Sequence, residues 1–160
     1  MPDKAFDGLP DGFSCRPMTV DDVSVVAGIE ALCQLTPWSE QLFYECLHHD
    51  YYCDLVECGS TPVAFQIVSR VLDEAHLLNI AVSPAWRRRG IARALLHKAM
   101  NRARAEGAVA LYLELRASNE DALKLYEALG FEQTGFRKDY YRTETGREDA
   151  LLMMRQLGGD

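Results

Sequence analysis

The stretch that most constrains this chain runs from residue 80 to residue 96. An aliphatic run, Ile80-Ala81-Val82, gives way to Ser83-Pro84-Ala85-Trp86, then Arg87-Arg88-Arg89-Gly90, then a basic segment with apolar positions at helical spacing. Such a pattern requires a strand that feeds a helix through a short turn. A chain organised around that unit is α/β. The turn also carries chemistry, because the first N–H groups of a helix have no intrahelical acceptor and lie at the positive end of its dipole. They suit an anion, above all a phosphate. Gly90 lets a ligand approach the backbone because it has no Cβ, Ala92 keeps the next turn small, and arginine adds charge-assisted bonds to phosphate oxygens. The loop is neither G-x-G-x-x-G nor a P-loop ending in G-K-(S/T), so dinucleotide and nucleoside-triphosphate readings lose support. On physical grounds alone, an arginine-rich helix start at the surface accounts for these residues equally well.

Charge distribution favours the ligand. The 160 residues carry a net charge of −7, yet seven bases and no acid lie between Arg87 and Arg104, which leaves 24 acids against 10 bases elsewhere. Arg87, Arg88, Arg89 and Arg93 fit an anionic partner, and the bases after residue 97 fit a solvated helix face. The acidic remainder argues against nonspecific binding to nucleic acid or an anionic membrane. No apolar run nears the ~20 residues that span a bilayer, and the first seven residues lack the pattern of a secretory signal. Five cysteines (Cys15, Cys33, Cys46, Cys53, Cys58) are an odd number without a C-x-x-C pair. They predict reduced thiols in a cytoplasm and no structural zinc. His48-His49 near Cys46 and Cys53 lacks metal-ligand spacing, and nothing completes a shell around Asp73-Glu74, so no metal is expected.

At ~70% of its surface buried on folding, a chain of this length builds one core. Glycine and proline punctuation predicts a tail over 1–12, one domain over 13–157 and a short tail at 158–160. Strands are expected at 13–18, 51–58, 63–72, 74–82, 109–115, 131–140 and 149–155. Thr19 should cap a helix to about Gln34 with Val23, Val26, Ala27, Glu30 and Ala31 on one face, and Ser39 a second helix to about His48. A helix over 91–106, with Ala92, Leu95, Leu96, Ala99 and Ala103 inward, should end at Gly107, and one over 119–129 at Gly130. The order is β-αα-βββ-α-β-α-ββ around a mixed sheet.

Two residues stand out on chemical grounds. Glu114 lies in Leu111-Tyr112-Leu113-Glu114-Leu115, and on a strand it points away from its leucine neighbours. A carboxylate in so apolar a strand asks for a reason. It is either a general base or the partner of Arg116. Tyr126 falls with Ala122, Leu125 and Leu129 on a stripe spaced as a buried helix face, which alone reads as a core tyrosine. Asn119 reads as a cap for the same helix.

Arg87-x-x-Gly90-x-Ala92 resembles the (Q/R)-x-x-G-x-(G/A) signature of the GNAT family of N-acetyltransferases, and the element order is similar from about residue 13 to 155. The resemblance implies the GNAT fold, with a splay between the fourth and fifth strands. It implies acetyl-CoA as co-substrate, its pantetheine arm on backbone groups of Ile80, Ala81 and Val82. Its pyrophosphate would lie on N–H groups of Arg88, Arg89, Gly90, Ile91, Ala92 and Arg93. Leu-Glu-Leu-Arg-Ala-Ser-Asn followed by Ala-Leu-Lys-Leu-Tyr-Glu-Ala-Leu-Gly-Phe looks like the family segment that carries the chemistry. That makes Glu114 the base, Asn119 a CoA contact and Tyr126 the acid.

Three further stretches look like the members that acetylate the N-terminal alanine of a small, basic ribosomal protein. They are Leu35-Thr-Pro37-Trp38-Ser39, Leu72-Asp73-Glu74-Ala75 running into Asn79-Ile80-Ala81-Val82, and Tyr140-Tyr141 with Gly146-Arg147-Glu148-Asp149-Ala150. This implies a basic peptide held between Trp38 and the pair Tyr140 and Tyr141, and an acidic body would steer such a peptide. Packing at loop ends is the plainer account of these aromatics. Lysine or polyamine acetylation, or a CoA-binding module without turnover, stay open.

Overall fold

The computed structural model describes residues 8–158. β1 (Phe13–Pro17) leads through a 3-10 turn (Val20–Asp22) into α1 (Val23–Cys33), followed by α2 (Glu40–His48), β2 (Tyr52–Cys58), β3 (Thr61–Val71) and β4 (Glu74–Val82). A second 3-10 turn (Pro84–Trp86) precedes α3 (Ile91–Ala105), β5 (Ala110–Arg116), α4 (Glu120–Ala128), β6 (Glu132–Arg142) and β7 (Arg147–Gln156). The expected element order is the observed one. Seven strands form one sheet in the order β1-β2-β3-β4-β5-β7-β6. It is mixed, with β4 and β5 parallel and β1–β2, β2–β3, β5–β7 and β6–β7 antiparallel. The β4–β5 ladder joins only residues 74–77 to 110–113, so residues 78–82 have no partner on β5. That is the splay between the fourth and fifth strands.

The chain forms two compact units, Met1–Ser69 with Leu78–Arg102, and Arg70–Leu77 with Ala103–Asp160. In the first, one apolar cluster gathers Val23, Val26 and Ile29 of α1, Phe43 of α2, Leu55, Phe65, Ile67 and Ala81. A second gathers Val56, Val63, Ala64, Ile91 and Leu95, with Ile80, Val82 and Trp86 packed against it. Alternation along β4 therefore sends Ala81 to one cluster and its two neighbours to the other. Of the expected tail, residues 1–7 lie outside the described residues, whereas Leu9 packs on the second cluster and Gly59 N–H donates to Gly12 O. At the other end Gly158 N–H donates to Val109 O, and the last two residues lie outside the described ones.

Two details differ from the sequence reading. Ala31 is exposed and Ile29 is buried. The inward stripe of α1 runs through Val23, Val26, Ile29 and Glu30 at helical spacing centred on Val26, and Ala31 falls about 140° round from that centre, towards solvent. Thr19 stands at the N-cap of the preceding 3-10 turn, where its own N–H donates to Asp22 Oδ2 at 2.7 Å, and Asp22 is the N-cap of α1 itself. Arg16 clamps Asp22 through two bonds of 2.8 Å and reaches Glu57 at 3.0 Å, which ties β1, the turn and β2 together. Secondly, the bases after residue 97 are not a simple solvated face. Arg102 pairs with buried Asp54 at 2.8 Å and lies over the Tyr52 ring, and Gln66 bridges Asp54 and Leu95 O. Arg104 Nε donates to Leu157 O. Charge counting cannot see that one acid on β2 lies buried within reach of the α3 stripe.

Candidate active site

The cofactor half of the expected site lies in the first unit. Gly90 has φ +78° and Arg88 φ +64°, so the turn into α3 uses the left-handed region twice in three residues. Gly90 takes it without strain. A Cβ built at Gly90 would meet nothing within 4 Å, so the space before the turn is open. The first intrahelical bond runs from Ala94 N–H to Gly90 O, which leaves the N–H groups of Ile91, Ala92 and Arg93 without an intrahelical acceptor. Arg87, Arg88, Arg89 and Arg93 are exposed around it, and Arg89 lies over the Trp86 ring at 5.1 Å. These residues fit a pyrophosphate. Arg87 does something else: its Nε donates to Val82 O at 3.1 Å and its Nη2 to Cys33 Sγ, so it fastens the loop back onto the strand. The carbonyl of Val82 is thereby engaged, and Ile80 and Ala81 remain beyond the end of the β5 ladder.

The acid–base half lies in the second unit. Leu113 and Leu115 are buried while the Glu114 side chain, on the opposite face of β5, is 33% exposed. Its partner is Arg137 of β6 at 3.4 Å and not Arg116, which was the alternative. Arg116 instead donates to Arg142 O at 2.7 Å and to Glu148 at 3.2 Å, and its guanidinium covers the Tyr141 ring. The register explains the exchange. β7 lies between β5 and β6, and Glu114 faces Leu152, which faces Gly135, two residues from Arg137. A bulge between Arg137 and Tyr141, with Asp139 at φ +51°, then brings the two tyrosines onto this hairpin. Sequence reasoning missed Arg137 and Glu148, because hairpin register through a bulge is not readable from the pattern of one strand.

Tyr126 is 6% exposed, tilted against Phe131 at 5.6 Å, and burial pushes its phenol up to about 12. Asn119 caps α4, its Oδ1 accepting from Ala122 N–H at 3.2 Å. The Tyr141 phenol also rises to about 12, first through burial and then through the charge of Glu114. Tyr140 packs edge-on against it and is half exposed.

Trp38 belongs to the first unit, in the loop between α1 and α2. Its ring tilts against Phe43 at 5.3 Å, and its N–H donates to Glu30 Oε2 at 3.0 Å. Glu30 is 1% exposed, and burial raises its carboxyl above the usual range, against the pull of Trp38 N–H and Asn79. All five cysteines are free, and no cluster of metal-ligating side chains exists among the described residues. None of the described helices is long and apolar enough to cross a membrane.

Known proteins supply the comparison. Residues 25–131 match the model of the Acetyltransferase (GNAT) family. The ribosomal protein bS18-alanine N-acetyltransferase of Salmonella typhimurium is 40% identical over 136 residues, 85% of this chain and 92% of its own length. The crystal structure of the ribosomal-protein-S18-alanine N-acetyltransferase from Escherichia coli superposes with a TM-score of 0.88 at 36% identity, covering 92% of this chain and 96% of that one. A Salmonella typhimurium protein, solved with its cofactor acetyl-CoA, shares the fold at a TM-score of 0.78 and 18% identity over 94% of this chain and 96% of that one. With a family match across two thirds of its length and relatives of this identity, the chain belongs to the GNAT family of acetyltransferases.

Proposed function

We propose that this acyltransferase carries acetyl from acetyl-CoA to the N-terminal alanine amine of a small-subunit ribosomal protein, the counterpart of bS18, in the cytoplasm. One observation carries the acceptor: relatives 40% identical over 85% of the chain are named for that reaction. The charge of the chain supports it, since a body at −7 attracts a basic peptide.

Acetyl-CoA supplies the acetyl group as a thioester. Backbone N–H groups of the 88–93 turn hold its pyrophosphate, and the edge at Ile80, Ala81 and Val82, beyond the end of the β5 ladder, takes the pantetheine arm, with Asn119 as a further contact. Glu114 accepts the proton of the α-ammonium, whose pKa of ~7.7–8.0 leaves most of it charged at neutral pH. The freed nitrogen forms the new C–N bond as the C–S bond breaks. Tyr126, whose phenol is pushed up to about 12 by burial, gives its proton to the departing sulfur. Trp38, Tyr140 and Tyr141 line the path of the peptide.

The test is direct. Enzyme, acetyl-CoA and a basic peptide with alanine first and one internal lysine are mixed, and tandem mass spectrometry locates the acetyl group. Acetyl on the alanine amine is the expected result. Acetyl on lysine alone would move the acceptor class, and CoA binding without any product would leave a non-catalytic module.

A further inference from the structure

The least expected group in the first unit is Glu30. A glutamate on the inward face of α1, among Val26, Ile29, Phe43 and Ala81, exposes 1% of its surface and has no cation bonded to it among the described residues. Burying a carboxylate without a cation is costly, so its hydrogen bonds must be worth keeping. One of them is Trp38 N–H at 3.0 Å. The other oxygen, Oε1, is buried without a hydrogen-bond partner, and so is Nδ2 of Asn79, the residue before the Ile80-Ala81-Val82 edge. Asn79 pulls the carboxyl's pKa down against burial, although neither of these two atoms has a hydrogen-bond partner. Three segments thus converge on one side chain: the end of α1, the loop that leads through Ser39 into α2, and the strand that leads into the arginine turn. Gln66 Oε1, the remaining orphaned buried oxygen among the described residues, has its own amide nitrogen satisfied twice and joins no loop.

We infer that Glu30 is a positioning residue for the acceptor peptide, its carboxylate tethering the Trp38 loop to α1 and, through Asn79, aligning that loop with the cofactor strand. The inference rests on the proposed function, in which Trp38 lines the peptide path. Glu30 does not touch the substrate. It supplies the one side-chain bond at the Trp38 amide, in a loop whose Leu35, Thr36 and Pro37 are exposed and add little packing of their own.

The test compares Glu30→Met, which keeps the volume and removes both acceptors, with Glu30→Gln, which keeps one acceptor for Trp38 N–H. Hydrogen exchange at the Trp38 amide is read without substrate, and KM is measured separately for alanine peptide and for acetyl-CoA. In Glu30→Met the Trp38 amide should exchange about tenfold faster and the peptide KM should rise about tenfold, the size of one lost charge-assisted bond, with the acetyl-CoA KM unchanged. Glu30→Gln should restore both to within about twofold. Asn79→Ala, a milder change should Glu30→Met not fold, should raise the peptide KM alone. Unchanged exchange, or both KM values rising together, would overturn the tether and leave a core residue. A wild type that binds acetyl-CoA but acetylates no alanine peptide would overturn the proposed function and with it the acceptor role. The exchange result would still report whether the bond orders the loop.

Discussion

The Glu114 carboxylate lies 3.4 Å from the Arg137 guanidinium, across the β7 strand that separates their own strands. Arg137 is more than half exposed and also covers the Tyr140 ring, so it is free to leave when another cation arrives. An exposed pair of this kind is worth at most about 1 kcal/mol. Arg137→Gln should therefore keep kcat/KM within about fivefold of the wild type. Glu114→Gln should lower it about a hundredfold at pH 7, the usual value of a general base. The deficit should shrink towards pH 9, where the α-amine has lost its own proton. Steady-state rates from pH 6 to 9 test this, and a deficit that stays constant across that range would remove Glu114 as the base.

The element order and the arginine turn were legible because each rests on local signals. Ser39 caps α2 as its position ahead of an apolar repeat predicts, and Gly90 and Gly130 take the positive φ angles that only glycine takes easily. What was not legible depends on pairing between distant segments. The Arg137 partner of Glu114 follows from a bulged register, and the Asp54–Arg102 pair from the packing of α3 on β2. Glu30 sat on the predicted inward face of α1, but nothing local marks which backbone amide a buried carboxylate will find.

Tyr126→Phe separates the two readings of that residue. The ring and its packing on Phe131 survive, so the melting temperature should stay within a few degrees of the wild type, while turnover should fall by about a hundredfold if the phenol gives up a proton. Wild-type turnover would return Tyr126 to the core.

The same phenol predicts how stability falls at high pH. Burial raises Tyr126 from 10 to about 12, so the folded state holds a proton that the unfolded chain has released. Its contribution is complete below about pH 10 and is lost as the pH climbs towards 12, because unfolding then releases the proton. Denaturant melts at pH 9 and pH 11 should show a steeper loss for the wild type than for Tyr126→Phe. Equal slopes would remove the group from the alkaline transition.

Acid acts through a different pair. Bonds from Arg16 hold the Asp22 carboxyl down to about 2 from an ordinary 3.8. A lowered folded pKa contributes stability above the ordinary value and loses it as the pH falls towards 2. Asp22→Asn should thus flatten the loss of stability between pH 4 and pH 2, measured by urea melts. A variant curve parallel to the wild type in that window would count against the clamp.

Gly90 decides whether the arginine turn is a cofactor site. At φ +78° a β-branched residue is strained by roughly 1–2 kcal/mol, and the open space around its Cβ means that no clash adds to this. Gly90→Val therefore has one way to relieve itself: the turn moves and the N–H groups of residues 91–93 no longer converge. CoA affinity should drop by about tenfold or more in calorimetry, since ~1.4 kcal/mol of misdirected bonds is a factor of ten. The core behind the turn, Ile91 and Leu95 against Val56 and Val63, is untouched by the change and should keep thermal stability within a few degrees. Arg89→Ala removes a guanidinium from the same turn without bending the backbone, and should weaken CoA by a smaller factor that fades as salt is raised. Affinity unaltered in Gly90→Val would move the pyrophosphate away from this turn.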